Sequence, residues 1–192
     1  MGELCFLITY HPVTLTKQSP SKSIKQLLDA LDQFPDAKLI FTKPNSDAGG
    51  RQIIELLELY VSRNPNRAAL FTSLGQLRYL SALQHVDAVI GNSSSGIVEA
   101  PAFKKPTINI GDRQRGRLLA NSIISCSEDT NDIVQAIHKA LSPQFQENLP
   151  KVISLYGQGN TSIEIKNLLK TVDISNITLK SFHDVKFVED LS

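Results

Sequence analysis

The chain has 192 residues, 41% of them hydrophobic, so it is long enough to bury a core and fits one domain or at most two small ones. Its 20 basic and 19 acidic residues leave a net charge near zero, which argues against binding to nucleic acid or to an anionic membrane. No apolar run approaches the roughly 18 residues of a membrane span, and we see no signal-peptide pattern, so we expect a cytoplasmic protein.

Short apolar runs alternate along the chain with longer segments whose apolar residues recur every three or four positions. The short runs predict strands at Cys5–Tyr10, Lys38–Thr42, Arg67–Thr72, Asp87–Gly91, Pro106–Ile110 and Ser122–Cys126. The longer segments predict helices at Ser21–Phe34, Gly50–Ser62, Gly75–His85, Ser95–Phe103 and Asn131–Leu141. Nearly continuous apolar strands separated by helices are typical of a parallel sheet that is covered on both faces. The sequence therefore predicts an α/β fold with a doubly wound, mostly parallel, Rossmann-like sheet.

The C-terminal part predicts a loop at Pro143–Pro150, a glycine-rich turn at Tyr156–Asn160 and a last helix at Ser162–Lys170. We place the Rossmann-like domain at residues 1–170 and a tail at residues 171–192. Apolar and polar residues alternate at 173–180 and 182–188, which predicts a strand or a segment that packs on another surface, such as a partner domain. A flexible tail is the alternative. The apolar residues of the last helix have two possible partners, this domain's own sheet or another domain.

Both cysteines, Cys5 and Cys126, lie in apolar strand-like runs. Buried cysteines in such runs are typical of reduced thiols, and a disulfide is the less favoured interpretation. The remaining histidines beyond His11 are scattered without metal-ligand spacing, so we expect no metal and no cofactor.

Polar, small and basic residues follow the predicted strands. His11 follows the first strand, Asn45 and Asp47 the second, and Arg113 the fifth. The fourth strand is followed by the sequence Asn92–Gly96, which contains three serines. Ligands of an open parallel sheet bind outside the carboxyl ends of its strands, so these residues predict a binding site there.

The three serines and the glutamate that follows them favour a nucleotide. A helix that starts at Ser95 would expose free N–H groups to a phosphate, Ser93 and Ser94 add hydroxyls, and Gly91 and Gly96 allow close approach. The carboxylate of Glu99 can only accept hydrogen bonds, which suits the two hydroxyls of a ribose. The simpler alternative, about equally favoured by this segment alone, is a serine N-cap and a glutamate at the helix dipole. The segment is not a P-loop, because Ile97 stands where that motif has lysine.

The other loops also have plain structural interpretations. His11 would simply end a strand before a proline, and Asn45 with Asp47 would form a turn that caps a helix. The arginines at 113, 115 and 117 would be solvated surface charges. Arg113 directly follows a strand and stands beside a glycine, so we favour it as a ligand for a phosphate or a base.

Four segments together resemble the C-terminal half of the hydrolysing UDP-N-acetylglucosamine 2-epimerases. They are ITYHPVTL at residues 8–15, FTKPNSDAGGR at 41–51, IGNSSSGIVEAP at 90–101 and PTINIGDRQRGR at 106–117. This family is similar to the GT-B glycosyltransferases, in which two Rossmann-like domains face each other across a cleft. The resemblance covers about residues 5–170.

The resemblance implies roles for individual residues. Ser93 and Ser94 would bind the diphosphate, and Glu99 the ribose. Arg113 and Asn45 would bind other parts of UDP. His11 matches an active-site histidine near the diphosphate, while Asp47 is expected to shape its loop.

The resemblance also implies the reaction, in which UDP-N-acetylglucosamine and water give N-acetylmannosamine and UDP for sialic acid synthesis. The family's acid and base carboxylates lie in an N-terminal domain, which we expect to be a separate partner of this chain. Three hypotheses follow: half of a hydrolysing epimerase, which we prefer; a nucleotide-binding module without catalysis; or a related hydrolase of another UDP-amino sugar, such as a diacetamido-trideoxy hexose.

Overall fold

The computed structural model describes residues 4–13, 19–157, 159–175 and 178. The described residues form a six-stranded sheet in which every neighbouring pair of strands is parallel. The strands are β1 Cys5–Thr9, β2 Lys38–Thr42, β3 Ala68–Phe71, β4 Ala88–Gly91, β5 Thr107–Ile110 and β6 Ile123–Cys126. Their order across the sheet is β3-β2-β1-β4-β5-β6. The predicted α/β fold with a doubly wound parallel sheet is confirmed.

Helices connect most of these strands. They are α1 Pro20–Leu31, α2 Gly50–Arg63, α3 Gly75–His85, α4 Ser95–Val98, α5 Thr130–Leu141, α6 Pro143–Gln146 and α7 Thr161–Thr171. Two short 3₁₀ turns lie at Ala100–Phe103 and Leu149–Lys151. The loop predicted at Pro143–Pro150 is wrong in part, because α6 and the second 3₁₀ turn occupy most of it. The Ser142 hydroxyl accepts from the N–H of Phe145 at 3.4 Å and so caps α6, with Pro143 at its first turn, where a missing N–H costs nothing.

The predicted single helix at Ser95–Phe103 is also wrong in detail. Regular α-helix covers only Ser95–Val98, and a 3₁₀ turn continues from Ala100. Pro101 has no N–H to donate to the carbonyl four residues earlier, which accounts for the change in hydrogen-bond pattern.

The strands alternate their side chains between two apolar layers, as the pleat requires. Phe6 and Ile8 of β1 pack on one face with residues of α1, α2 and α5, whereas Leu7 packs on the other face with Leu83 and Ala100. All five side chains are at most 1% exposed. Burial of a large apolar side chain stabilises the fold by about 1.5–3 kcal/mol, so both layers hold the central strands in place.

The strand order fixes where a ligand can enter. From β1 the chain runs outward through β2 to β3, then returns to β4 beside β1 and continues outward to β6. The connections leaving β1 and β4 therefore diverge, which opens a crevice between the carboxyl ends of these two strands.

The chain divides into two units, residues Met1–Tyr156 and Gly157–Ser192. The sheet belongs to the first unit and α7 to the second. This division falls before the boundary that we predicted after residue 170. The parts of the tail in which apolar and polar residues alternate, 173–180 and 182–188, lie largely outside the described residues. In α7, the apolar side chains are more than half exposed at Ile163, Ile165, Leu168 and Leu169.

Cys5 begins β1 and Cys126 ends β6, and both are free thiols, as predicted. Burial raises the pKa of the Cys126 thiol to about 12, so this thiol stays protonated at neutral pH. Within the described ranges, no helix is both long enough and apolar enough to cross a membrane.

Candidate functional site

The six predicted site residues lie in the loops that follow the strands, at one edge of the parallel sheet, which we call the carboxyl edge. His11 follows β1, Asn45 follows β2, and Arg113 follows β5. Ser93, Ser94 and Glu99 follow β4. Because β1 and β4 are neighbours at the centre of the sheet, His11 and the serines flank the crevice between them.

A cavity of about 400 Å³ opens at this point, and we call it the β1–β4 cavity. Four residues from the loops after β1 and β4 line it: His11, Ser93, Ser95 and Glu99. Its remaining wall consists of Thr9, Thr42, Lys43, Thr72, Ser73, Leu74, Gly75, Gln76, Tyr79 and Leu80. The structure thus brings three predicted residues, His11, Ser93 and Glu99, together in one concave space.

The wall from β3 and α3 is the part of the site that our sequence analysis missed. Leu74, Tyr79 and Leu80 are its apolar members, and Gln76 adds an amide. The available signal was the serine and glycine loop after β3, which marks the carboxyl edge without pointing to any particular chemistry. Tyr79 lies on a helix pattern, where an aromatic residue is usually part of the core.

His11 is held by contacts from two neighbouring loops. The side chain of Asn92 accepts from the His11 N–H at 2.7 Å and donates to the His11 carbonyl at 2.8 Å. The Asn45 N–H donates to His11 Nδ1 at 3.1 Å. Since Nδ1 accepts, neutral His11 carries its proton on Nε2.

The surroundings of His11 favour the neutral imidazole. Burial lowers the pKa of His11, and the positive charge of Arg113 acts in the same direction. The side chain of Asn45 and the carboxylate of Asp47 partly oppose this shift. At neutral pH, His11 is therefore a hydrogen-bond donor through Nε2.

The loop after β2 contributes backbone to the His11 environment. The side chain of Asn45 donates to the Asp47 carboxylate at 2.7 Å, so Asp47 shapes this loop. Both side chains are exposed and line a separate cavity of about 610 Å³ with the start of α2. The structure therefore brings the Asn45 backbone to His11, but it does not bring the Asn45 side chain into the β1–β4 cavity.

Arg113 approaches the same centre from the loop after β5. Its Nη1 donates to the Asn92 carbonyl at 3.1 Å, and Gln114 Nε2 donates to the same oxygen at 2.7 Å. Arg113 is half-buried and does not line the β1–β4 cavity. Its charge lies near His11 on the side of the crevice toward β5.

The loop after β4 departs from the helix-terminus geometry that the sequence suggested. Helix α4 has only four residues, so its dipole is small. Ser94 occupies the N-cap position without a side-chain cap hydrogen bond, which removes the simple capping interpretation of that serine. The Ser93 hydroxyl accepts from the Ser95 N–H at 3.4 Å, and the Ser95 hydroxyl donates to the Tyr79 hydroxyl at 2.6 Å.

The two glycines of this segment serve the protein's own packing. A Cβ at Gly91, whose φ is +135°, would lie 2.0 Å from the Thr9 carbonyl oxygen. A Cβ at Gly96 would lie 2.7 Å from a Thr107 methyl group. We expected both glycines to make room for a phosphate; in the protein itself, they allow β4 to approach β1 and α4 to approach β5.

A larger cavity, of about 920 Å³, lies beside the ends of β5 and β6. It is lined by Lys22, Gln26, Arg115, Arg117 and Glu128, among others, and by none of the six predicted site residues. Size alone therefore does not identify the site. In the part of the chain that the structure describes, no group of three or more His, Cys, Asp or Glu side chains is placed to hold a metal ion.

The chain is similar in sequence to curated proteins. A GDP/UDP-N,N'-diacetylbacillosamine 2-epimerase (hydrolyzing) from Campylobacter jejuni is 46% identical over 94% of this chain and 47% of its own length. Polysialic acid biosynthesis protein P7 from Escherichia coli is 31% identical over 94% of this chain and 46% of its own length. The chain thus spans about half the length of these relatives.

Among solved structures, the Staphylococcus aureus MnaA–UDP co-structure superposes with a TM-score of 0.67 at 16% identity, covering 97% of this chain and 48% of that one. At this identity the likeness shows the fold alone. The family model described as UDP-N-acetylglucosamine 2-epimerase matches residues 2–170. This chain belongs to the UDP-N-acetylglucosamine 2-epimerase family.

Proposed function

We propose that this chain is the UDP-binding half of a hydrolysing 2-epimerase that acts on a UDP-amino sugar. The observation that carries the proposal is the meeting of His11, Ser93 and Glu99 in the β1–β4 cavity, where the strand order opens a crevice. The acid and base of the reaction come from a second domain.

The β1–β4 cavity has the size and lining that a nucleoside requires. A volume of about 400 Å³ is in the range of small-molecule sites. Leu74, Tyr79 and Leu80 offer an apolar wall to the base, and Gln76 offers an amide for its polar edge. Glu99 offers acceptor oxygens to the ribose hydroxyls.

The diphosphate lies beside the nucleoside, between the serines and His11. Ser93 supplies a hydroxyl donor from the cavity lining, the neighbouring Ser94 lies outside that lining and supplies a second, and the His11 Nε2–H supplies a third. The charge of Arg113 acts on His11 and adds attraction for an anion. Donors fixed in this way stabilise the negative charge that develops on UDP as it leaves C1 of the sugar.

The epimerisation itself needs groups that this site does not offer. Inversion at C2 requires a base that removes one proton and an acid that delivers another. Of the carboxylates beside the site, Asp47 binds the Asn45 side chain and Glu99 lines the nucleoside cavity. The relatives are about twice as long as this chain, so we assign the acid and base to the half of the relatives that it does not match.

Two substrates are candidates. UDP-N-acetylglucosamine is the substrate in the description of the family, and the relative named for polysialic acid biosynthesis supports a role in sialic acid synthesis. The 46% identity to an enzyme named for N,N'-diacetylbacillosamine favours a diacetamido sugar instead. Both belong to the same reaction class, and the cytoplasmic location that we predicted stays part of the proposal.

Calorimetric titration with UDP, GDP and ADP tests the nucleotide site. We expect UDP to bind in the micromolar to millimolar range and ADP to bind more weakly. If UDP does not bind, the proposal is wrong, whichever of the other two nucleotides binds.

The catalytic part requires a second experiment. Release of UDP from UDP-N-acetylglucosamine and from UDP-N,N'-diacetylbacillosamine is measured with the chain alone and with the remaining half of the Campylobacter relative added. We expect turnover only in the mixture, with the better substrate identifying the sugar. Turnover by the chain alone would contradict the assignment of the acid and base, whereas UDP binding with no turnover in the mixture would favour a non-catalytic module.

A further inference from the structure

Asn92 connects three of the loops at the carboxyl edge. It directly follows β4, and its side chain is fully buried. Its side-chain amide makes two hydrogen bonds to the backbone of His11. Its backbone carbonyl accepts one hydrogen bond each from the side chains of Arg113 and Gln114. The Asn92 N–H donates to the Thr9 carbonyl at 3.2 Å, which ties the same residue to the end of β1.

The pair of bonds to His11 requires an amide side chain. The Asn92 oxygen accepts from the His11 N–H while its nitrogen donates to the His11 carbonyl. A carboxylate would only accept, and a serine hydroxyl is too short to reach both groups. Because Asn92 is excluded from water, loss of either bond leaves a backbone group without a partner.

The orientation of the His11 ring depends on a second contact, because a fixed backbone alone leaves the side-chain torsions free. With the backbone held by Asn92, Nδ1 meets the Asn45 N–H at 3.1 Å. A proton on Nδ1 would point at that N–H, so the ring keeps Nδ1 as an acceptor and holds its proton on Nε2. Asn92 acts on Nε2 through this arrangement without touching a ligand.

We propose that Asn92 is a positioning residue that holds His11 as the Nε2–H tautomer, so that His11 donates a hydrogen bond to the diphosphate instead of acting as a base. The part about the diphosphate rests on the function proposed above. The part about the tautomer does not, because it concerns the protein without ligand.

The first test uses the unmodified chain. Nitrogen-15 NMR of the imidazole distinguishes the two neutral tautomers, and we expect the Nε2–H pattern for His11 without ligand at neutral pH. A predominant Nδ1–H pattern, or a rapid mixture of the two tautomers, would overturn the proposal. No variant is needed for this measurement, so failure of a variant to fold does not affect it.

The second test compares Asn92→Ala and Asn92→Asp with a matched control. Asn109→Ala removes another buried asparagine, whose amide donates to Ser125 on the neighbouring strand and does not contact His11. In both Asn92 variants we expect mixed tautomers and a His11 pKa above that of the unmodified chain, while Asn109→Ala leaves both unchanged. Asn92→Ala leaves Arg113 and Asp47, the charged groups that act on His11, unaltered. Asn92→Asp adds a carboxylate that raises the His11 pKa by itself, so the pKa comparison is read from Asn92→Ala.

Binding of UDP is measured on the same four proteins. We expect Asn92→Ala to lose about tenfold in UDP affinity, as for one hydrogen bond to a charged group, and Asn109→Ala to lose none. Folded Asn92 variants that keep the Nε2–H tautomer and the original His11 pKa would overturn the positioning role. If the unmodified chain shows the expected tautomer but binds no UDP, the proposed function fails while the role of Asn92 in holding His11 stands.

Discussion

The hydroxyl of Ser95 donates a hydrogen bond of 2.6 Å to the hydroxyl of Tyr79. This bond joins the loop after β4 to helix α3 and closes one wall of the β1–β4 cavity. Burial raises the pKa of Tyr79, so its hydroxyl stays protonated at neutral pH. The phenol thus supports the serine segment and also lines the cavity proposed for the nucleoside.

Changing Tyr79 separates these two roles. Tyr79→Phe keeps the ring but leaves the Ser95 hydroxyl without its partner, so we expect a loss of about 0.5–1.5 kcal/mol in the free energy of unfolding. Tyr79→Ala also removes the apolar wall, so we expect it to weaken UDP binding clearly more than Tyr79→Phe does. Urea unfolding and calorimetric titration measure the two effects. Tyr156→Phe, at an exposed position, is the control. Equal UDP affinities for both Tyr79 variants would show that the Tyr79 ring does not contact the nucleoside.

Glu99 provides a test of the ribose contact. Glu99→Ala should weaken UDP binding by about 1–3 kcal/mol, since it removes a charged hydrogen-bond acceptor. The same change should cost much less with 2′-deoxyuridine diphosphate, which lacks one of the two hydroxyls. Glu147→Ala removes the same charge at an exposed position away from the cavity and should change neither affinity. Equal losses for the two nucleotides would show that Glu99 does not bind the 2′-hydroxyl.

The pKa of His11 should respond to Arg113. The pKa is lowered from the ordinary value of 6.5, first by burial and then by the Arg113 charge, so Arg113→Gln should raise it. Titration of the imidazole by NMR measures this change directly. Arg117→Gln removes an exposed charge of the same loop and serves as the control. A His11 pKa that is the same in Arg113→Gln as in the unmodified chain would mean that the charge lies too far away to act.

The same shift predicts how stability depends on pH. Between the folded-state pKa of His11 and 6.5, the unfolded chain binds a proton that the folded chain does not. The contribution of His11 to stability is therefore full above pH 6.5 and is lost as the pH falls through this window. His11→Gln should remove that part of the pH dependence, which urea unfolding at several pH values would reveal. If the free energy of unfolding depends on pH in the same way in His11→Gln as in the unmodified chain, the lowered pKa of His11 is contradicted.

Gly91 is expected to tolerate no side chain. Gly91→Ala would place a Cβ 2.0 Å from the Thr9 carbonyl oxygen at a φ of +135°, forcing β4 away from β1. We expect a loss of about 3 kcal/mol or more in the free energy of unfolding, from strain and overpacking together. Gly116→Ala is the matched control, because Gly116 also has a positive φ of 84° but has open space around it. Thermal unfolding should show a clearly smaller loss for this control.

The elements of the fold followed from local sequence patterns. All six strands were predicted to within one residue at each end, because each strand is a short apolar run. The inner strands β1, β4 and β5 are buried on both faces of the parallel sheet, which makes their runs nearly continuous. The exception at Ser95–Phe103 has a local cause as well: the apolar spacing predicted one helix, whereas Pro101 interrupts its hydrogen bonds. The short helix α6 was missed because four residues are too few to show a period.

The candidate site was predictable only in part. The strand alternation placed His11, Asn45, Ser93, Ser94, Glu99 and Arg113 in loops at one edge, and the motifs pointed to a nucleotide. The sequence by itself thus determined the fold, the edge and the types of chemical group, because these depend on the residues of each segment and the segment's neighbours along the chain.

Only the tertiary structure decided which of these residues share one space. It places His11, Ser93 and Glu99 in one cavity with Tyr79, and it leaves Ser94 and the side chains of Asn45 and Arg113 outside the lining of that cavity. It also shows that Asn92 binds His11 across 81 positions of sequence. Such contacts depend on the pairing of β1 with β4 and on the short distance between these strands that Gly91 permits. Neither can be predicted from the residue pattern of a single segment, because both involve segments far apart in the sequence.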